Sequence, residues 1–501
     1  MARVKLCSTF GILVALACCV AAMTVSAHAA PVSDAGAAQF WFDASRPSTL
    51  FQNSAGTTAV TTSGNPVGYW GNSSSLTGAN RNATQATGTA RPTWQTNVIN
   101  GKAVVRFDGT SDFLDTGAIS ELNTANLTWF TVSRTVLPSA NSANIMRSSY
   151  SGGATVNTAH LWGTFADSNS ISGTATYMAS ARAADGTLRG GRAAAVSNAA
   201  TIVTGRWNGT TDVVNAWSNG SFQVGTASAG ATGADANPSG HQLTRLGASS
   251  VNASGTTTPA GAFLNGDIAE AMVFNTVFNT AQRTVMENYL GAKYAINLTS
   301  DQAATYQSLN ATYRNDVIGI GKASDASTSL LSGLSGLQLA ATALTTNDAW
   351  VFAGNGDAYN STTSIQTANA LVQTHLPAGV TDRWSRVWNV ETINTVAAGD
   401  TLALTFDWNA GGLGGSFDAT DTFALLYSST ENPTSFTRLL ASQSSLDAAA
   451  KTVTFDLTGA SLADGYYTIA IVPEPGPALL VVTGLGGLAV GILRRRQARG
   501  R

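Results

Sequence analysis

The sequence predicts an all-β protein: a two-sheet antiparallel sandwich with one peripheral helix, followed by a second β-rich, sandwich-like block. Three observations predict it. Short runs alternate apolar and polar residues at period two, as in Lys102-Ala-Val-Val-Arg-Phe107, where Ala103, Val105 and Phe107 share one face. Turns rich in Gly, Asn, Ser and Thr separate these runs, and 50 of the 501 residues are glycine. One stretch carries apolar residues at helical spacing, namely Val285, Met286, Tyr289, Leu290 and Tyr294.

Taken in order, Leu127-Thr-Trp-Phe-Thr-Val132 continues the alternation. Thr201–Trp207, Thr211–Trp217 and Phe222–Val224 read as a meander. Asn208-Gly209 and Asn219-Gly220 between them offer the positive φ of tight hairpin turns. Asp267-Ile-Ala-Glu-Ala-Met-Val-Phe274 is a further strand. Asn279 or Thr280 can cap the helix, which runs to about Tyr294 and packs against the sandwich edge. Residues 298–317 are polar and lack alternation, so they read as a connection between domains 31–297 and 318–472. The second block carries β-like runs at Ala349–Ala353, Trp384–Val390, Thr401–Trp408, Thr422–Tyr427, Thr452–Leu457 and Tyr466–Val472.

Composition limits the function. Only 11% of residues are charged, against roughly a quarter in ordinary soluble domains. The formal net charge is −2 and no basic stripe exists outside the extreme C-terminus, which argues against nucleic acid as a partner.

The two ends are more specific. Residues 1–30 read as a signal peptide: Arg3 and Lys5 precede an apolar run from Leu6 to Val25, and Ala27-His28-Ala29 offers signal peptidase its small-x-small site. The alternative is an uncleaved anchor helix. The three cysteines, Cys7, Cys18 and Cys19, all lie in this segment, so the body must hold together without disulfides. At the other end, Pro473-Glu474-Pro475 precedes an apolar span over 476–493 and an arginine-rich tail over 494–501. A basic end stays cytoplasmic, which puts everything before Pro473 outside. Without Arg3, Lys5, the five C-terminal arginines and Glu474, the body keeps 20 basic against 28 acidic residues, a net of about −8.

The order Pro-Glu-Pro, apolar helix, basic tail resembles the PEP-CTERM sorting signal of Gram-negative bacteria. That resemblance implies an exosortase as partner, cleavage near the motif, and an inner-membrane precursor that ends at the cell surface or in the extracellular matrix. The alternative is a plain membrane anchor. In the first block, Phe40-Trp-Phe-Asp-Ala-Ser45, Trp70, Asn82-Ala-Thr-Gln85, Arg91-Pro92, Val98-Ile-Asn-Gly-Lys102, Val105-Arg-Phe-Asp-Gly109, Leu264-Asn-Gly-Asp-Ile-Ala-Glu270 and Tyr289-Leu-Gly-Ala-Lys-Tyr294 follow one another. That succession resembles the laminin-G-like jelly-roll domains of bacterial surface proteins, within the concanavalin A-like lectin/glucanase fold. The second block, with Asp316-Val-Ile-Gly-Ile-Gly321, Arg386-Val-Trp388 and Asp464-Gly-Tyr-Tyr-Thr-Ile469, resembles an uncharacterised β-rich domain that follows such jelly rolls.

Such a fold hosts lectins and glycosidases alike, so the residues must decide. Glucanases of this fold carry closely spaced carboxylates on one strand face. Here the six glutamates stand at 121, 270, 287, 391, 431 and 474, and no two fall in such a motif. The nearest carboxylate pair, Asp267 and Glu270, is offset by three, which in a regular strand points the two to opposite faces. His160, His241 and His375 lie far apart, without metal-ligand spacing. Catalytic residues are therefore expected to be none. Asp108, Asp112 and Asp115 could donate oxygens to Ca2+, or form a plain Asp-Gly turn. Trp129, Trp207 and Trp388 sit in alternating runs and read as core, whereas Trp70, Trp94 and Trp162 lie in loop-like text and are candidates for stacking on sugars. The reading is of a non-catalytic exported protein that adheres to, or associates with, glycans or exopolysaccharide. A glycan-active enzyme and a purely structural coat protein are the alternatives.

Overall fold

The computed structural model describes residues 31–473, apart from 138–141, 151–161, 168–175, 183–187, 195–196, 227–239, 250–261, 300–311, 357–369, 414–416, 418–420, 440–442 and the single positions 212, 224, 335 and 432. The signal peptide with Ala27 and Ala29, and the sorting segment from Glu474 and Pro475 onward, lie outside the described residues. Among those described, no helix is long and apolar enough to cross a membrane.

Two antiparallel sheets form the first block. One runs, in spatial order, Ser221–Gln223, Val213–Ser218, Ala200–Asn208, Leu127–Thr135, Asn265–Phe274, Lys102–Asp108 and Thr93–Ile99, with Phe40–Asp43 sharing the far edge of Asn265–Phe274. The other begins at Gly225–Thr226 and Leu188–Ala194. It continues through Thr176–Arg182, Trp162–Asp167, Ser142–Tyr150 and His241–Leu246, then ends in four strands of two residues each, from Leu114–Asp115 to Leu50–Phe51. The period-two patterning has its consequence here. Val105, Phe107, Leu127, Trp129, Val203 and Val273 of the first sheet close on Leu50, Ile145, Trp162, Tyr177 and Leu246 of the second. Gly205 has a steric reason, since a Cβ there would sit 2.2 Å from the Trp129 ring that crosses it.

The meander is present, with one difference at its turns. Asn219 (φ 48°) and Gly220 (φ 80°) make the predicted hairpin turn. Asn208-Gly209 does not. Asn208 instead accepts the amides of Thr210 and Thr211 on its side chain, and the loop before Val213 is longer than two residues.

The helix α1 spans Thr280–Tyr294, capped by Asn279, whose side chain accepts the Gln282 amide while Gln282 returns a bond to the Asn279 amide. It does not sit at the sandwich edge. Val285, Met286, Tyr289 and Leu290 cover Trp41, Phe130, Ile202 and Met272 on the outer face of the first sheet, and the same cluster continues into Val317, Ile320, Leu334 and Trp350 of the second block. The placement follows from that outer face being apolar along its middle, which an edge position would leave wet.

The second block has a nine-stranded sheet built around Asn315–Lys322, Ala349–Asn355, Trp388–Ile393 and Gly465–Val472, and a five-stranded sheet from Leu331–Leu334 to Gln443–Asp447. The connection therefore ends at Asn315, inside the predicted polar stretch. Trp384–Val390 is also two strands rather than one. Asp382–Trp384 and Trp388–Ile393 both pair Gly465–Val472, and the buried Thr468 hydroxyl donates toward the carbonyls of Trp384 (3.0 Å) and Arg386 (2.8 Å) at the break. Contacts across the blocks are polar as well as apolar: Asp34 accepts the Leu330 amide (2.8 Å) and Lys102 donates to Asn315 (3.1 Å).

Candidate functional site

Beneath α1 the first sheet carries a buried ionic cluster. Lys293 Nζ lies 2.7 Å from Asp43 Oδ2 and 2.7 Å from Glu270 Oε2. Glu270 also accepts from Trp41 Nε1 (2.6 Å), Tyr289 (2.9 Å) and Tyr294 (2.8 Å), while Asp43 meets Arg46 (3.1 Å) and Ser45. Burial pushes the Asp43 carboxyl upward, but Lys293 and Arg46 outweigh it and hold the group down at about 2. At Glu270 burial wins and raises the carboxyl, helped by the charge on Asp43. Two acids and two bases thus neutralise one another, tying Phe40–Asp43, Asn265–Phe274 and α1 together.

Asp267 and Glu270 are not on opposite faces. A β-bulge between Ile268 and Glu270 inserts one residue, so Asp267 stands opposite Arg134 and Glu270 opposite Val132, positions that share a face of their strand. Even so, they do not form a pair. Asp267 is clamped by Arg106 (2.7 Å) and Arg134 (2.6 Å), Glu270 by Lys293.

The stacking candidates are core residues. Trp70 is 0%, Trp94 6% and Trp162 1% exposed. Trp94 donates to the Ala44 carbonyl (3.0 Å) and Trp162 to the Tyr150 hydroxyl (3.0 Å), so neither offers a ring face to a sugar. Trp129, Trp207 and Trp388 are buried as expected.

The calcium candidates do not converge. Asp108 accepts the amides of Thr110 (2.8 Å), Ser111 (2.8 Å) and Asp112 (3.1 Å), an Asp-Gly turn in which Gly109 takes φ 77°. Burial raises the Asp108 carboxyl, but these donors prevail and hold it below its usual range. Asp112 accepts the Asp108 amide (3.0 Å) and is pushed up to about 6 by burial and by the charge of Asp108. Asp115 gives both oxygens to Arg245, each at 2.6 Å, where the guanidinium takes the place a cation would need. Among the described residues no group of three or more His, Cys, Asp or Glu could hold a metal.

What sequence reasoning missed is an open polar hollow of about 540 Å³ between the Thr93–Ile99/Lys102–Asp108 hairpin turn and the C-terminal end of α1. Asn100, Asn198, Asn219, Asn297 and Arg134 line it, with Tyr294 on its wall. Asn100 and Asn219 hold positive φ (47° and 48°), so turn chemistry brought them there. Each spends half of its amide: Asn100 donates to the Lys293 carbonyl (3.1 Å), and Asn219 accepts the Ile202 amide (2.9 Å). Among the described residues nothing bonds the Asn100 side-chain oxygen or the Asn219 side-chain nitrogen. Such adjacent donors and acceptors suit hydroxyl groups. The asparagines were visible as turn signals in the sequence, but their convergence was not.

No protein-family model matches the chain, and no curated protein matches it. Among solved structures it is similar to a native heptameric SAP-like pentraxin from Limulus polyphemus (16% identity, 35% of this chain and 77% of that one, TM-score 0.27). It is also similar to the CBM40 of Ruminococcus gnavus IT-sialidase bound to α2,3-sialyllactose (12% identity, 35% and 91% covered, TM-score 0.25). A third is the Trypanosoma rangeli sialidase in complex with the inhibitor DANA (12% identity, 48% and 35% covered, TM-score 0.28). At such scores the all-β sandwich rests on the chain's own strand order.

Proposed function

We propose that this chain is a non-catalytic, exported surface or matrix protein that associates with glycans and is sorted by an exosortase through its C-terminal segment. The observation that carries the reading is the contrast between the hollow and the carboxylates around it. The hollow offers amides suited to hydroxyl groups. The buried acids of the same sheet face, Asp43, Asp267 and Glu270, and Glu287 on the helix that covers it, each meet an arginine or lysine, an arrangement that does not favour proton transfer.

The test is co-sedimentation of the full chain with exopolysaccharide, alongside an assay for newly released reducing ends. Retention without release is expected. Release would make the protein an enzyme, and failure to be retained on any polysaccharide would favour a structural coat. Sorting is tested separately. A proline ring restricts φ to near −65° and disfavours helix in the residue before it, so prolines at positions 473 and 475 suit an extended recognition segment around Glu474. Mass spectrometry of surface material should find no peptide from 494–501, and Glu474→Ala should leave the precursor in the membrane. An intact Arg501 terminus on the surface form would make the segment an ordinary anchor.

A further inference from the structure

The outer face of the first sheet is covered by α1 along its middle and left open at the Ser221–Gln223 edge. Phe222 stands there 53% exposed, whereas Phe40, Trp41, Phe42, Trp129 and Phe130 of the same sheet are fully buried. It lies opposite Trp217 across the hairpin, their ring centroids 5.4 Å apart at 53°. Arg206 and Arg283 both approach the Trp217 ring, at 5.1 and 4.8 Å from its centroid.

The two arginines differ in how their charge is met. Arg283 pairs with Glu287 on its own helix. Among the described residues Arg206 has no carboxylate bonded to it: it donates to the Phe278 carbonyl (3.0 Å) and to Asn215 Oδ1 (3.0 Å), and its buried Nε meets no acceptor there. Burial and the like charge of Arg283 lower its proton affinity, and only Asp325, engaged with Thr280 (2.6 Å), acts in the other direction. A half-buried guanidinium that no carboxylate among the described residues bonds, beside an exposed aromatic ring, is an arrangement that a ligand with an apolar face and one carboxylate completes.

We propose that Phe222, backed by the buried Trp217, and Arg206 form a binding site for a carboxylate-bearing sugar ring, such as a uronate unit of an acidic polysaccharide. The sugar's C–H face lies on Phe222, and its carboxylate reaches toward the guanidinium of Arg206. This rests on the glycan-association reading and names the sugar class. The site uses the strand residues of the hairpin whose turn residue, Asn219, lines the asparagine-rimmed hollow.

The experiment is calorimetric titration of the full chain with oligogalacturonate and with a neutral glucan oligosaccharide of equal length. Oligogalacturonate should bind more tightly, and rising salt should weaken it selectively, because salt screens the attraction between the half-buried cation and an anionic chain arriving from solvent. Phe222→Ala should weaken oligogalacturonate about tenfold, the scale of removing an aromatic anchor, and Phe222→Tyr should restore it. Arg206→Gln should abolish the preference over the neutral sugar, with its urea midpoint confirming that it still folds. Unchanged affinity in Phe222→Ala, or equal affinity for both sugars, overturns the proposal. If exopolysaccharide retains the protein while oligogalacturonate does not bind, this site falls and glycan association stands. If neither binds, both fall.

Discussion

Replacing Lys293 by Met is expected to destabilise the protein by about 3–5 kcal/mol at neutral pH, the cost of removing one partner from a buried ion pair. Lys293 meets both Asp43 and Glu270, each at 2.7 Å. Arg46 stays behind for Asp43, so the larger burden falls on Glu270, already raised by burial. Glu270 will escape part of the cost by taking a proton, since Trp41, Tyr289 and Tyr294 can keep one of its oxygens bonded. The sign follows. In the variant the Glu270 carboxyl is raised further in the folded state, so stability should increase as pH falls from neutrality toward its unfolded value. Wild-type Asp43, held at about 2, contributes in the opposite sense: its stabilisation is present above about pH 4, near its unfolded value, and is lost as pH falls toward 2. Urea midpoints across pH 5–8 check this. Adding Glu270→Gln to Lys293→Met should recover part of the loss, because no charge is then left beneath the helix unpaired. A loss under about 1 kcal/mol would mean the cluster is hydrated and behaves like a surface pair.

That cluster also shows where sequence reading stops. Glu270 was legible as a lone glutamate inside a strand, and α1 was legible to within a residue at both ends because its cap and apolar stripe are local signals. The bulge that turns Asp267 and Glu270 to one face is not local. It is set by pairing with Leu127–Thr135, about 135 residues earlier in the chain. The tryptophans failed for a related reason. Trp70 belongs to a strand of two residues, too short to show alternation, so its text reads as loop although the ring fills the core. Trp94 stands at an inward position between the polar Thr93 and Gln95, a pattern that loops share, and Trp162 is the first residue of its strand. The polar hollow assembles four asparagines from segments spread over about 200 residues, and no spacing rule links them. Local chemistry, such as the Asn279 cap and the Asn219-Gly220 turn, was readable; convergence was not.

The second large effect is acid sensitivity from His241. The ring is 4% exposed, and its Nδ1 accepts the Ile119 amide at 3.0 Å, so the proton of the neutral ring sits on Nε2, 3.1 Å from Thr244 Oγ1. Tyr150 packs edge-on against it at 5.2 Å, and no carboxylate among the described residues bonds it. Protonating Nδ1 would set two donors against each other in a dry site. Burial accordingly pushes the imidazole down to about 4. In the unfolded chain the same group titrates near 6.5, so between those values the unfolded state binds the extra proton and stability falls as the medium acidifies. A shift of that size corresponds to about 3 kcal/mol lost between pH 6.5 and 4. Asp112 acts oppositely in the same window: raised to about 6, it takes up its proton in the folded state first and adds stability on acidification. The measurement is therefore a difference between two proteins, in which Asp112 cancels. His241→Gln should be less stable than wild type at pH 7, since it must remake the bonds to Ile119 and Thr244, but its unfolding free energy should be flatter from pH 6.5 to 4. The gap between the two should close by about 3 kcal/mol over that range. A constant gap would show that His241 takes up its proton in the folded protein as readily as in the unfolded chain, through an opening that lets water reach Nδ1.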